Sequence, residues 1–196
     1  MMPTHRFAGL LAAPLLLGLV ATAAAQDSNI TQPIADLERL LAAEPLVITQ
    51  AEISRPKAKG DITLRADVSF GGAPPLRVKL RKAEPGANSF NNVPRYDLAA
   101  YELQKLFLDP PEFVVPPTAL RMVPLADFAR YSPGVERTFS QADQVVSVVQ
   151  YWLSDITVIA DVYDPARFDA DPVYARHIGQ LNVLTYLIEH GDANVG

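Results

Sequence analysis

The stretch that decides the fold is residues 61–82, DITLRADVSFGGAPPLRVKLRK. Apolar side chains alternate along its first part, at Ile62, Leu64, Ala66, Val68 and Phe70. This period of two is typical of a strand with one buried face. The Gly and Pro residues of 71–75 predict a turn. Alternation then resumes over residues 76–82, with cations between the apolar positions, so we predict an antiparallel hairpin.

Four further segments carry a regular pattern. Residues 34–43, 96–108 and 174–189 have apolar positions three and four apart, which predicts helices. Residues 145–153, VVSVVQYWL, are rich in β-branched side chains and predict a buried strand. Residues 114–125 read as an extended, proline-broken passage, and residues 161–172 read as a loop. A hairpin followed by helices and further strands predicts an α+β fold.

Composition excludes several classes of protein. The chain has 196 residues, of which 49% are hydrophobic and 20% charged, so an intrinsically disordered chain is excluded. The formal net charge of −5 disfavours nucleic acid as a partner, because phosphate contacts need an excess of Lys and Arg. The absence of cysteine excludes disulfides, thiolate nucleophiles and Cys-ligated metal sites.

Residues 1–25 predict a secretory signal peptide. Arg6 gives a positive start, residues 10–20 are apolar, and Ala23-Ala24-Ala25 precedes Gln26 as a small-residue cleavage site. The apolar run is short for a membrane span of about 20 residues. We therefore expect a secreted or periplasmic protein with no stable membrane span after cleavage. The alternative is an uncleaved membrane anchor.

A few polar residues stand where chemistry could occur. His190-Gly191-Asp192 follows the last helix and suits a catalytic loop, although Asp and Asn in such a place commonly form a turn or a cap. Lys79 could direct a cation at a phosphate, or belong to a solvated strand face. Asp97 could pair with that lysine, or simply favour the helix N-terminus. Glu102 competes with Asp97, or forms a local i,i+3 pair with Lys105.

The order of these parts resembles the protein-kinase-like superfamily. A strand lysine, an acid on the next helix, a buried strand, a long helix and His-x-Asp follow one another. Residues 78–82, 90–103 and 115–118 (Val-Pro-Pro-Thr) are similar to atypical kinases of the secretory-pathway, HipA-type and phosphatidylinositol 3- and 4-kinase groups. The likeness spans about residues 60–196.

The resemblance implies a phosphotransferase and assigns roles to this chain. Lys79 would contact the phosphates of ATP bound with Mg2+, with Arg81 and Lys82 as competing cations. Asp97, or else Glu102, would pair with that cation. Asp192 would be the catalytic acid of the loop, acting on an unknown hydroxyl-bearing substrate.

The resemblance also implies that the chain has four parts. Residues 1–25 are the signal peptide, 26–59 an N-terminal extension, 60–153 a kinase-like N-lobe and 154–196 a partial C-lobe that ends in the catalytic loop. The kinase pattern places a metal-holding Asn five residues after the Asp, beyond Gly196. We therefore expect the sequence to be incomplete and inactive by itself. The alternatives are a non-catalytic kinase-fold scaffold domain and an unrelated secreted α+β domain.

Overall fold

The computed structural model of the chain describes six stretches: residues 29–43, 45–54, 62–83, 94–154, 156 and 163–189. The predicted signal peptide and the His190-Gly191-Asp192 loop lie outside these residues. The expectations about them remain predictions.

Within the described stretches, five antiparallel strands form one sheet in the order β1-β2-β3-β5-β4. They are β1 (Leu46–Ile53), β2 (Thr63–Phe70), β3 (Leu76–Lys82), β4 (Thr118–Pro124) and β5 (Gln144–Tyr151). Strand β5 lies between β3 and β4 and leaves β4 at the edge, so the predicted buried strand is a central one.

The same stretches contain five α-helices. They are α1 (Ile34–Ala42), α2 (Pro94–Gln104), α3 (Leu125–Ala129), α4 (Pro165–Ala170) and α5 (Pro172–Leu187). A short 3-10 helix, Pro110–Glu112, follows α2. Helix α2 packs against β4 and β5. The α+β fold is therefore confirmed.

The predicted hairpin is formed by β2 and β3. Leu64 lies opposite Leu80, and Val68 lies opposite Leu76. The turn between the strands uses Gly71 and Gly72, whose φ angles are 42° and 93°. Positive φ is costly for residues with a Cβ atom, which explains two successive glycines at this turn.

The two faces of the sheet differ in chemistry. The core face of β2 and β3 carries the predicted apolar residues, which pack with Leu37, Leu40 and Leu41 of α1 and with Phe128 of α3. The opposite face carries Arg65, Arg77, Lys79 and Arg81, and we call it the cationic face. The core therefore lies between the sheet and α1, and α2 lies on the cationic side.

Several boundaries differ from the sequence prediction. Strand β1 pairs with β2, so the sheet begins before residue 60 and includes part of the predicted N-terminal extension. Helix α2 ends at Gln104 rather than near 108, because Leu106 and Phe107 donate to carbonyls only three residues back and tighten the last turn. Residues 165–170, predicted as loop, form α4 with Asp164 as its N-cap.

No helix within the described stretches has both the length and the apolar character that crossing a membrane requires.

Candidate functional site

The register of β3 separates its three candidate cations. Lys79 and Arg81 lie on the cationic face, opposite Arg65 and Thr63 of β2. Lys82 is directly opposite Ser147 of β5 and has the parity of the core face. The competition between cations is therefore reduced to Lys79 and Arg81, because only these two share a face with α2.

Asp97 of α2 contacts both remaining cations. Its Oδ2 atom lies 2.5 Å from Nη1 of Arg81 and 3.6 Å from Nζ of Lys79. Asp97 stands in the first turn of α2, where a carboxylate is also favoured by the helix dipole. The expected contact between Lys79 and Asp97 is therefore present, and it includes Arg81 as a third member.

Lys79 and Arg81 differ in how far their side chains are exposed to solvent. The side chain of Arg81 is 4% exposed, whereas those of Lys79 and Asp97 are 31% and 27% exposed. Of these two cations, only Lys79 is accessible enough to meet a ligand, because the side chain of Arg81 is enclosed. Among the described residues, the Nε and Nη2 atoms of Arg81 are buried without a hydrogen-bond partner, while its Nη1 atom donates to Asp97. Arg81 thus anchors Asp97, and Asp97 in turn holds Lys79.

Glu102 occupies a different side of α2. It lies five residues after Asp97, which is about 140° around a helix. Its Oε1 atom accepts a hydrogen bond from Lys105 at 2.9 Å, and its side chain is exposed. The local i,i+3 pair is therefore the contact formed by Glu102, and Asp97 is the acid that meets the strand cations.

A second ion pair lies on the cationic face, beside the cluster formed by Lys79, Asp97 and Arg81. Arg77 donates to both carboxylate oxygens of Asp67, at 2.9 and 3.3 Å. This hydrogen bonding lowers the pKa of Asp67 and raises that of Arg77. The charge of Arg77 is thereby matched locally. Lys79 and Arg81 both contact the carboxylate of Asp97.

Trp152 borders the cationic face at the end of β5. Its backbone N–H donates to the carbonyl of Arg77 at 3.0 Å, and the guanidinium of Arg65 lies 5.9 Å from its ring centroid. Trp152 is two residues beyond Gln150, which is opposite Lys79. The indole is therefore a near neighbour of the lysine on the same face, and it is the chain's single tryptophan.

Some site features have no local sequence pattern. Glu38 of α1 accepts hydrogen bonds from Tyr101 of α2 at 2.8 Å and from Lys105, just after the end of α2, at 2.6 Å. Gln104 is fully buried and binds the backbone of Val114 and Val115. The contact between Glu38 and Tyr101 joins residues 63 positions apart in the chain. The sequence carries no local signal for these contacts.

Within the described stretches, no group of three His, Cys, Asp or Glu side chains is arranged to hold a metal ion. Comparison with protein-family models, with curated proteins and with solved structures gives no match to this chain.

Proposed function

We propose that this chain is the nucleotide-binding lobe of a secreted or periplasmic kinase-like phosphotransferase. The observation that supports the proposal is the three-residue cluster of Lys79, Asp97 and Arg81. In protein kinases, a lysine on the third strand and an acid on the following helix must pair before the nucleotide is held productively. Here Lys79 lies on β3 and Asp97 on the next helix, 3.6 Å apart.

The partly exposed side chain of Lys79 suits a polyphosphate ligand. An ammonium that is partly exposed can approach phosphate oxygens, and a carboxylate behind it fixes its position. The buried Arg81 keeps Asp97 in place without competing for the ligand, since its side chain is only 4% exposed. Lys79 is thus assigned to the nucleotide phosphates, Asp97 to orienting Lys79, and Arg81 to orienting Asp97.

The remaining parts of the reaction rest on the resemblance. The hydroxyl oxygen of the acceptor would attack the γ-phosphorus of ATP, the bond to the departing ADP oxygen would break, and Asp192 would take the hydroxyl proton. Magnesium, bound with the nucleotide, supplies charge neutralisation at the phosphates. The described residues contribute the phosphate-directed cation rather than metal ligands.

The test is calorimetric titration of MgATP into the wild type, Lys79→Met and Arg130→Met. Arg130 is an exposed cation on the α3 side of the sheet and matches the charge change. We expect the wild type to bind, Lys79→Met to bind at least tenfold more weakly because a charge-assisted contact is lost, and Arg130→Met to bind like the wild type. The fluorescence of Trp152 should change on binding.

Two results would contradict the proposal. If the wild type does not bind MgATP, a non-catalytic scaffold module or an unrelated α+β domain becomes the better description. If Lys79→Met binds as tightly as the wild type, then Lys79 is not the phosphate-directed cation.

A further inference from the structure

The N-terminal helix is joined to the helix that carries Asp97. Glu38 of α1 accepts a hydrogen bond from the hydroxyl of Tyr101 at 2.8 Å. It also forms an ion pair with the ammonium of Lys105 at 2.6 Å. The ammonium of Lys105 also lies 4.3 Å from the centroid of the Tyr101 ring. We call Glu38, Tyr101 and Lys105 the clasp.

Tyr101 is fully buried, so the hydrogen bond of its hydroxyl to Glu38 contributes to stability. A buried hydroxyl without an acceptor is destabilised, so Tyr101 requires the Glu38 carboxylate. Partial burial of Glu38 opposes its ionisation, but the hydrogen bonds from Lys105 and Tyr101 outweigh that effect and lower its pKa. Burial is the main cause that raises the pKa of Tyr101, and the hydrogen bond to Glu38 raises this pKa further. Glu38 is therefore anionic and Tyr101 neutral across the physiological range.

Helix α1 is itself fixed to the sheet. Leu37 and Leu41 are fully buried in the core. Arg121 of β4 donates to the carbonyls of Leu40 and Leu41 at the end of α1, at 3.3 and 3.2 Å. The clasp therefore connects α2 to a helix that moves with the sheet, and both helices contact edge strand β4.

The clasp lies one helical turn from the acid of the candidate site. Tyr101 follows Asp97 by four residues, so the two side chains project from the same side of α2. A shift of α2 at Tyr101 would move Asp97 relative to Lys79 and Arg81 on β3. The distance between Asp97 and Lys79 is 3.6 Å, and a displacement of about 1 Å would break that contact.

We propose that Glu38 is a positioning residue: by holding Tyr101 and Lys105, it sets the place of α2 and thereby the pairing of Asp97 with Lys79. This inference rests on the proposed function for its effect on nucleotide binding. It assigns a role in the site to α1, which the sequence alone placed in an extension outside the kinase-like lobe.

The first experiment is a double-mutant cycle on MgATP affinity, measured by calorimetry. Glu38→Ala should weaken binding on the order of tenfold. In an Asp97→Asn background, Glu38→Ala should weaken it no further, because its effect passes through Asp97. Asp36→Asn is the control, since it removes an exposed carboxylate from the same helix. A purely structural role of Glu38 would give the same loss in both backgrounds.

The second experiment needs no nucleotide. A neutral acylating reagent modifies only an uncharged amine, and a nearby carboxylate keeps an amine protonated. Mass spectrometry should show that Lys79 is acylated several-fold faster in Glu38→Ala than in the wild type or Asp36→Asn. Glu38→Gln, which retains an acceptor for Tyr101, should give an intermediate rate and serves if Glu38→Ala does not fold.

The outcomes separate the two proposals. Faster acylation of Lys79 without MgATP binding by any variant would support the positioning role and overturn the nucleotide proposal. Unchanged acylation together with unchanged MgATP affinity in Glu38→Ala would overturn the positioning role and leave the nucleotide proposal standing.

Discussion

Removing Asp97 should cost far more stability than removing Arg81, although both changes break the same ion pair. Arg81 is almost completely enclosed, whereas Asp97 is 27% exposed. Loss of one partner of a buried pair costs about 3–5 kcal/mol because a charge remains buried and unmatched. Because the position of Asp97 is partly exposed, water can take the place of the missing carboxylate beside Arg81. We therefore expect Asp97→Ala to lower the free energy of unfolding by about 2–3 kcal/mol.

Arg81→Met should behave differently. It also loses the pair, but it removes two buried nitrogen atoms, Nε and Nη2, that have no partner. Each unsatisfied buried donor costs about 1–3 kcal/mol, and methionine fills a similar volume without that penalty. The partly exposed Asp97 retains its contact with Lys79. The net change in the free energy of unfolding for Arg81→Met should therefore stay within about 1 kcal/mol of the wild type.

Urea unfolding followed by the fluorescence of Trp152 measures both variants in one assay. Asp97→Ala should lower the urea midpoint with an unchanged slope, and its Tm should fall by about 5–10 °C. The reasoning is refuted if Asp97→Ala costs less than about 0.5 kcal/mol, or if Arg81→Met costs as much as Asp97→Ala.

Three other predictions concern the core, the clasp and the N-terminus. Phe128→Ala should lower the free energy of unfolding by about 3–5 kcal/mol, because Phe128 is fully buried in the core; calorimetry showing a loss below about 1 kcal/mol would contradict this. Wild type should be more stable than Glu38→Gln at pH 7. Since the pKa of Glu38 is lowered on folding, that difference should shrink in urea titrations as the pH falls below 4.5 through the lowered pKa, and a constant difference would disprove the link. N-terminal sequencing of secreted protein should begin at or within a few residues of Gln26, and an intact Met1 would contradict secretion.

The hairpin of β2 and β3 was predictable because alternation with period two is a local property of the sequence. The same alternation placed Lys79 on one face, and the proximity of α2 in the chain made Asp97 a reasonable partner. Alternation could not show that α2 covers Arg81 while leaving Lys79 partly exposed. That difference depends on where α2 packs, which is set by β4 and β5.

Other features were hidden by irregularity or by distance in the chain. The apolar phase of β1 changes at a bulge between Ile48 and Gln50, which breaks the alternation that would have predicted a strand. Helix α4 could have been found from its N-terminus, because Asp164 is an N-cap and Pro165 follows it. The contact between Glu38 and Tyr101 joins residues 63 positions apart, and no local pattern reports it.

The most direct test of the central claim is covalent labelling with an acyl-phosphate derivative of ATP, which transfers its acyl group to a lysine beside the bound phosphates. The modified residue is identified by peptide mass spectrometry. We expect acylation at Lys79, suppressed by excess MgATP and reduced in Asp97→Asn, because that lysine is the partly exposed cation held by Asp97. Labelling that occurs at other lysines, or that MgATP does not suppress, would contradict the assignment of Lys79 to the nucleotide phosphates.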